Sequence, residues 1–449
     1  MMKLKKLLTV AASVVLGALV LNGCKDEKQV ASSVATNDPA ELAGNITMWH
    51  SFTQGPRLEV IQQAANDFMQ KNPKVRIKIE TFSWNDFYTK WTTGLASGNV
   101  PDLSSALPNQ VIEMINVDAL TPINDVIDKI GRNRFSANAI KEGTVGENNY
   151  SIPLYSHAKV LWVRKDLLEK NGLSVPQTWE ELYRAAKALT KDGVYGLSVP
   201  MGTNDYVATI FLDLYIRSGG GTLLSKDHKV DLTSPLAQEA INYWVKMYKE
   251  TSPKDAVNYN ILQQATLYYQ GKAAFDFNSG FHIGGVQANS PDLLPYIDAY
   301  PVPKRNINDP QGASETLSFP LVVWKNSKHP EIAKAFIESI YQKDRYIQFL
   351  NAVPVGMLPA VTGVDDDPAY KDLPIRQEFK HAEKVIQEAV NLGSAIGYEY
   401  GPNVYAGLLT NQHIIEAMFQ DIVVNGTDPM VAAKKAEQQL NTLFETISQ

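Results

Sequence analysis

The chain has 449 residues, with 42 Lys and Arg against 48 Asp and Glu, a formal charge of −6 and one cysteine. An acid excess without a basic stripe excludes the electrostatic footprint that nucleic-acid backbones require. A single cysteine excludes an intramolecular disulfide and any cysteine-built metal site, so the body must be held by a core, for which its length suffices in two or three domains.

In chain order, Lys3, Lys5 and Lys6 precede an apolar run from Leu7 to Leu21. The run has the length of a signal-peptide core and is short for a membrane span. It ends in Leu21-Asn22-Gly23-Cys24, which resembles a bacterial lipobox and predicts removal of residues 1–23 and acylation of Cys24. The alternative is an uncleaved anchor helix; either way the body is exported, to the periplasm or the cell surface. Residues 24–42 are polar and aperiodic and read as a flexible tether with a reach of up to about 60 Å.

The body opens with a strand at Ile46–Trp49, a helix from Arg57 to Lys71 and an alternating strand at Val75–Ile79. Leu58, Ile61, Ala65, Phe68 and Met69 share one face of that helix. A helix between two strands implies a parallel α/β sheet. Further on, Thr178 to Glu181 forms a capping box for a helix ending near Leu189. Ser234-Pro235 and Asp428-Pro429 each place a cap before a first-turn proline, and Pro330 opens another helix. Short strands are expected at Tyr195–Val199, Ala273–Phe277 and Leu317–Val323. Trp162, Trp179 and Trp244 fall inside helix or strand patterns and read as core.

Catalytic motifs are missing. There is no His-Glu-x-x-His, no Gly-x-Ser-x-Gly and no complete Walker A, and the seven histidines are scattered. Neither a metal nor a cofactor is expected. Polar and aromatic residues gather instead in loops at strand ends, where open α/β sheets bind ligands. The first such loop holds Ser51 and Thr53 and feeds a helix N-terminus, whose free N–H groups can bind oxygens or simply be capped. Others carry Trp84, Asn109, Asn204, Asp205, Tyr206, Asn278, Phe281, Tyr400 and Tyr405. Amides and carboxylates that pair hydroxyls, beside flat rings that cover C–H faces, suit a sugar. Trp84 and Tyr405 read equally well as core aromatics.

These stretches resemble the family 1 extracellular solute-binding proteins, the maltose-binding-protein-like group. ITMWHSFTQGPRLEV at 46–60, ASGNVPDL at 96–103, YSIPLYSHAKVLWVRKDLL at 150–168, PQTWEEL at 176–182, YQGKAAFDFNSG at 269–280 and VPVGMLPA at 353–360 occur in family order. The resemblance implies a type II periplasmic-binding fold of two α/β lobes joined by crossover strands near Ser156–Ala158, Asp298–Tyr300 and Gly356–Met357. Lobe one would be 43–156 plus 299–356, and lobe two 157–298 plus 357–449. It also implies cleft positions at Ser51, Thr53, Asn109, His157, Asn204 to Tyr206, Phe281 and either Tyr400 or Tyr405. Phe281 stands where many sugar binders carry Trp, and Leu107 and Asn109 depart from the maltose-type site, which argues against a maltodextrin. The implied function is capture of a carbohydrate, an oligosaccharide by preference, for delivery to an ABC permease, with no chemical step. The alternatives are a secreted carbohydrate-active hydrolase, or the same fold holding a polyamine, a metal complex or an anion.

Overall fold

The computed structural model describes residues 41–447 apart from Gln54, and leaves out the side chains of Trp84, Asn85, Tyr88 and Asn138. The signal segment and Cys24 lie outside the described residues. Strand β1 (Gly44–His50), helix α1 (Gly55–Lys71) and strand β2 (Val75–Thr81) form the expected unit, with β1 and β2 parallel from Gly44↔Val75 to His50↔Thr81. The apolar face of α1 buries Ile61, Ala64, Ala65 and Phe68. Helix α2 (Trp84–Ser97) leads to β3 (Leu103–Ser105), which lies on the other side of β1, and then to α3 (Pro108–Asn116).

Residues 150–164, one continuous stretch in the sequence, divide into β4 (Ser151–Ala158) and β5 (Val160–Arg164). The two strands belong to different sheets. Lys159 is the turning point: its N–H donates to the Glu315 carbonyl at 3.0 Å, and its carbonyl accepts from the Ser314 hydroxyl. Helix α4 (Trp179–Leu189), β6 (Tyr195–Leu197), α5 (Val207–Ser218), α6 (Pro235–Thr251), α7 (Ile261–Tyr269), β7 (Ala273–Asn278), α8 (Phe281–Asn289) and β8 (Ile297–Tyr300) follow. Strand β6 stops short of Val199 because the Val199 N–H turns to the Ser252 hydroxyl at 2.9 Å. The chain rejoins the first sheet with β9 (Thr316–Val323). After α9 (Pro330–Ile340) and β10 (Leu358–Pro359) it ends in four helices, α10 (Lys380–Leu392), α11 (Val404–Asn411), α12 (Ile414–Asn425) and α13 (Pro429–Glu445).

Two mixed sheets result. The first runs β10-β4-β9-β3-β1-β2 and the second β8-β5-β7-β6. Each has its own apolar core. Met48, Leu103, Leu321 and Phe336 fill one, and Trp179, Phe211, Trp244 and Phe277 the other. Trp162, Trp179 and Trp244 are all buried, as their periodicity predicts. Trp179 meets Trp244 edge-on at 5.4 Å and donates its indole N–H to Ser218 at 2.6 Å, so its one polar atom is satisfied. No helix among the described residues is long and apolar enough to cross a membrane.

The caps read from the sequence are made. The Thr178 hydroxyl accepts from the Glu181 N–H at 3.3 Å, and the Ser234 hydroxyl from the Ala237 N–H at 3.4 Å. Asp428 accepts from both Met430 N–H (3.0 Å) and Val431 N–H (3.2 Å) at the start of α13. Asp428→Ala should therefore cost about 1 kcal/mol. Urea unfolding should show a lower midpoint with an unchanged slope; an unchanged midpoint would mean the cap adds nothing.

Candidate ligand-binding cleft

A cavity of about 410 Å³ opens where the two sheets exchange strands. Its floor comes from the β4–β9 pair. The antiparallel register sets His157 opposite Leu317 and Tyr155 opposite Phe319. Side chains alternate along a strand, so Tyr155, His157 and Lys159 share a face with Glu315, Leu317 and Phe319. All six line the cavity. Tyr155 and Phe319 stack at 4.7 Å with ring planes 6° apart, and His157 lies on Phe319 at 4.9 Å.

The second sheet supplies a wall from three places. Asn204, Asp205 and Tyr206 precede α5, Tyr269 ends α7, and Asn278 ends β7 just before Phe281. Asp205 ties two helix starts together, accepting from Val207 N–H at 3.1 Å and Ile261 N–H at 2.8 Å. Gly280 explains the entry into α8: a Cβ there would lie 2.3 Å from the Val355 carbonyl oxygen, so only glycine permits this approach. That contact seats Phe281 edge-on to His157 (5.9 Å) and Tyr155 (6.4 Å). Arg57, in the first turn of α1, holds its guanidinium over Phe52 at 4.8 Å and over Phe281 at 5.1 Å.

Burial sets the charge states. His157 is 5% exposed, and its Nδ1 meets no partner within the protein. Desolvation, helped by Lys159, pushes its pKa well down, so the imidazole is neutral. Burial raises Asp205 to about 6 against the pull of the Ile261 and Val207 N–H groups and of Lys159. It raises Glu315 too, with Lys159 and Arg217 opposing. His413, at the cavity rim, is lowered by desolvation.

Of the residues singled out from sequence, His157, Asn204, Asp205, Tyr206, Asn278 and Phe281 meet in this cavity. Five of the others lie elsewhere. Ser51 is buried outside the cavity lining and Thr53 faces solvent. Asn109 donates to Thr410 at 2.6 Å, which leaves its neighbour Gln110 on the cavity. Tyr405 stacks on His228 at 4.5 Å and meets Phe444 edge-on, the core role open to it. Tyr400 is 57% exposed and outside the lining. Trp84 begins α2, and its side chain lies outside the described set. Arg57, Tyr155, Lys159, Tyr269, Glu315 and Phe319 line the cavity without having been singled out. Period-two alternation in Tyr-Ser-His-Ala-Lys and Glu-Thr-Leu-Ser-Phe is the signal that names most of them. Among the described residues no group of three or more His, Cys, Asp or Glu is arranged to hold a metal.

Residues 54–344, more than half of the chain, match the bacterial extracellular solute-binding protein family. The chain belongs to that family. This solute-binding protein is 20% identical over 446 residues to Escherichia coli YcjN, named as an ABC-transporter periplasmic-binding protein, covering 97% of this chain and 98% of that one. It is 25% identical over 323 residues to a lactose-binding protein of Rhizobium radiobacter, covering 68% of this chain and 72% of the relative. Among solved structures, an ABC-transporter solute-binding protein of Thermotoga lettingae holding α-D-tagatose superposes with a TM-score of 0.78 at 22% identity, over 89% of this chain and 99% of that one. The fold is thus the two-lobed α/β architecture of periplasmic binding proteins, and the protein is a bacterial extracellular solute-binding protein.

The buried histidine that ends β1 leads to a pH prediction. His50 accepts from the Phe52 N–H at 3.1 Å, and burial together with Arg57 lowers its pKa from 6.5 to about 3. Between these values the unfolded chain binds a proton that the folded chain refuses. Stability should therefore rise with pH from about 3 to 6.5, with a slope from this group of at most about 1.4 kcal/mol per pH unit. His50→Gln should flatten that part of the profile in denaturant titrations at successive pH values; an unchanged slope would mean His50 is charged when folded.

Proposed function

We propose that this protein captures a carbohydrate between two lobes framed by the two sheets and presents it to an ABC permease. The observation that carries this reading is the cavity floor. Stacked rings of Tyr155 and Phe319 lie beside the unpartnered Nδ1 of buried His157, which offers an apolar surface and an open polar atom together. A sugar ring has both needs, an apolar C–H face and an edge of hydroxyls. The relatives point the same way, since one is named for lactose and another holds tagatose. In this reading lobe one is built on the first sheet and lobe two on the second, with Lys159 and the 301–315 segment as linkers, so the expected bounds at 156, 299 and 357 move to keep His157–Ala158 and Leu358–Pro359 with the first sheet and Ala299–Tyr300 with the second. The protein performs no chemical step.

Thermal melting with glucose, galactose, tagatose, lactose, cellobiose and galacturonate should reveal a ligand, because binding to the native state raises stability by RT ln(1 + [L]/Kd). A bound oligosaccharide should be recovered intact; its cleavage would favour a hydrolase instead. Phe281→Ala should weaken binding by tenfold or more, about 2 kcal/mol from lost ring contact, with little change in the ligand-free melting temperature. A large melting loss with unchanged affinity would remove Phe281 from the site.

Anchoring is part of the same proposal. Cys24 is the lipidated residue, and residues 25–42 let the body reach a permease in the same membrane. Cys24→Ser should free the protein from membranes or block processing of the signal peptide. A mature-size variant that still fractionates wholly with membranes would overturn the anchor.

A further inference from the structure

We infer that the sugar is an acidic one, a hexuronate or an oligosaccharide with a uronate residue, and that Arg57 binds its carboxylate. The inference rests on the sugar-binding reading and specifies it. Three observations support it.

The first is the state of Arg57. Its guanidinium carbon lies over the rings of Phe52 and Phe281, at 4.8 and 5.1 Å from their centroids, while it lines the cavity. Cation–π contact with two rings leaves its N–H donors available to a planar, bidentate partner. Among the described residues no carboxylate pairs with it. The groups that feel its charge are His50, Tyr155 and Tyr269, all neutral in the fold.

The second is the distribution of the opposite charge. The cavity carboxylates, Asp205 and Glu315, both lie in the field of Lys159. Asp205 is further occupied by the N–H groups of Val207 and Ile261. The negative groups of the site are therefore answered by Lys159 and the helix starts, and the positive charge at Arg57 is left over.

The third is the neighbourhood of Arg57. It stands in the first turn of α1, where helix N–H groups favour an anion. Beside it, in contact with the same Phe281 ring, buried His157 keeps Nδ1 unpartnered. A carboxylate against Arg57 would bring its sugar ring over Phe281 and Tyr155, with ring hydroxyls within the range of His157.

Calorimetry at pH 7.5 tests this with D-galacturonate, D-glucuronate and digalacturonate against galactose, glucose and the methyl ester of galacturonate. The ester keeps the shape and removes the charge. The wild type should bind an acid at least tenfold tighter than its neutral partner, with affinity falling as salt is raised. Arg57→Gln should abolish the preference, and Arg57→Lys should restore part of it. Equal binding of acid and ester, binding of neutral sugars alone, or an acid preference that survives in Arg57→Gln would each overturn the inference while leaving a sugar-binding protein. Binding of no member of the panel would overturn both.

Discussion

The antiparallel pairing of β4 with β9 is the constraint on which the rest of the molecule depends. It inserts a late strand between β4 and β3 and so closes the first sheet. Both strands also point out of that sheet at the same end. Immediately beyond His157 the chain turns at Lys159 into the second sheet, and the strand opposite is entered through Glu315 coming back from it. One register therefore decides the sheet order, the position of the linkers and the six-residue floor of the cavity. A slip of β4 by one residue would turn Tyr155 and His157 away from the cleft and break their pairing with Phe319 and Leu317, because strand side chains alternate with period two.

The linkers are held by buried charge. Arg217 on α5 pairs with Asp213 one turn earlier at 2.6 Å and with Glu399. Its guanidinium also donates to the carbonyls of Ser314 (3.4 Å), Ser394 (3.2 Å) and Ala395 (3.3 Å). One side chain thus ties a helix of the second core to the 314 linker and to the segment after α10. Burying such a set costs desolvation that the pairing must offset, so its value lies in fixing geometry more than in adding stability. Removing one partner would leave the others buried and unpaired, typically a loss of about 3–5 kcal/mol. A second fully buried set, His282 against Asp276 at 2.5 Å with Gln264 beside them, lies under Tyr268 and Tyr269 and braces the wall that carries Phe281.

The cleft itself separates two kinds of surface. The middle of its floor, from Tyr155, His157, Leu317 and Phe319, is apolar and neutral, with His157 kept uncharged by burial. Its charges stand at the edges, with Lys159 among the carboxylates on one side and Arg57 against the phenylalanines on the other. A ligand that lies on such a floor meets opposite electrostatics at its two ends. The arrangement can therefore read orientation as well as shape.

Much of this was legible in the chain. The strand–helix–strand opening, the capping box and the first-turn prolines rest on relations between near neighbours, and the core tryptophans on helix and strand periodicity, and these are what a linear pattern records. The α/β class and several cleft loops followed from them, with Asn204 to Tyr206, Asn278 and Phe281 among the residues that meet. What only the tertiary structure decided is which faces look at each other. Asn109 and Gln110 are equally plausible in the sequence, and the packing of α3 on α11 gives Thr410 to one and the cavity to the other. Tyr405 reads equally as a platform or a core ring until His228, far away in the chain, stacks on it. Arg57 reads as a charge on a solvated helix start until Phe281 arrives from the other sheet. Period two and period 3.6 determine which residues share a side, and only long-range strand pairing determines what that side meets.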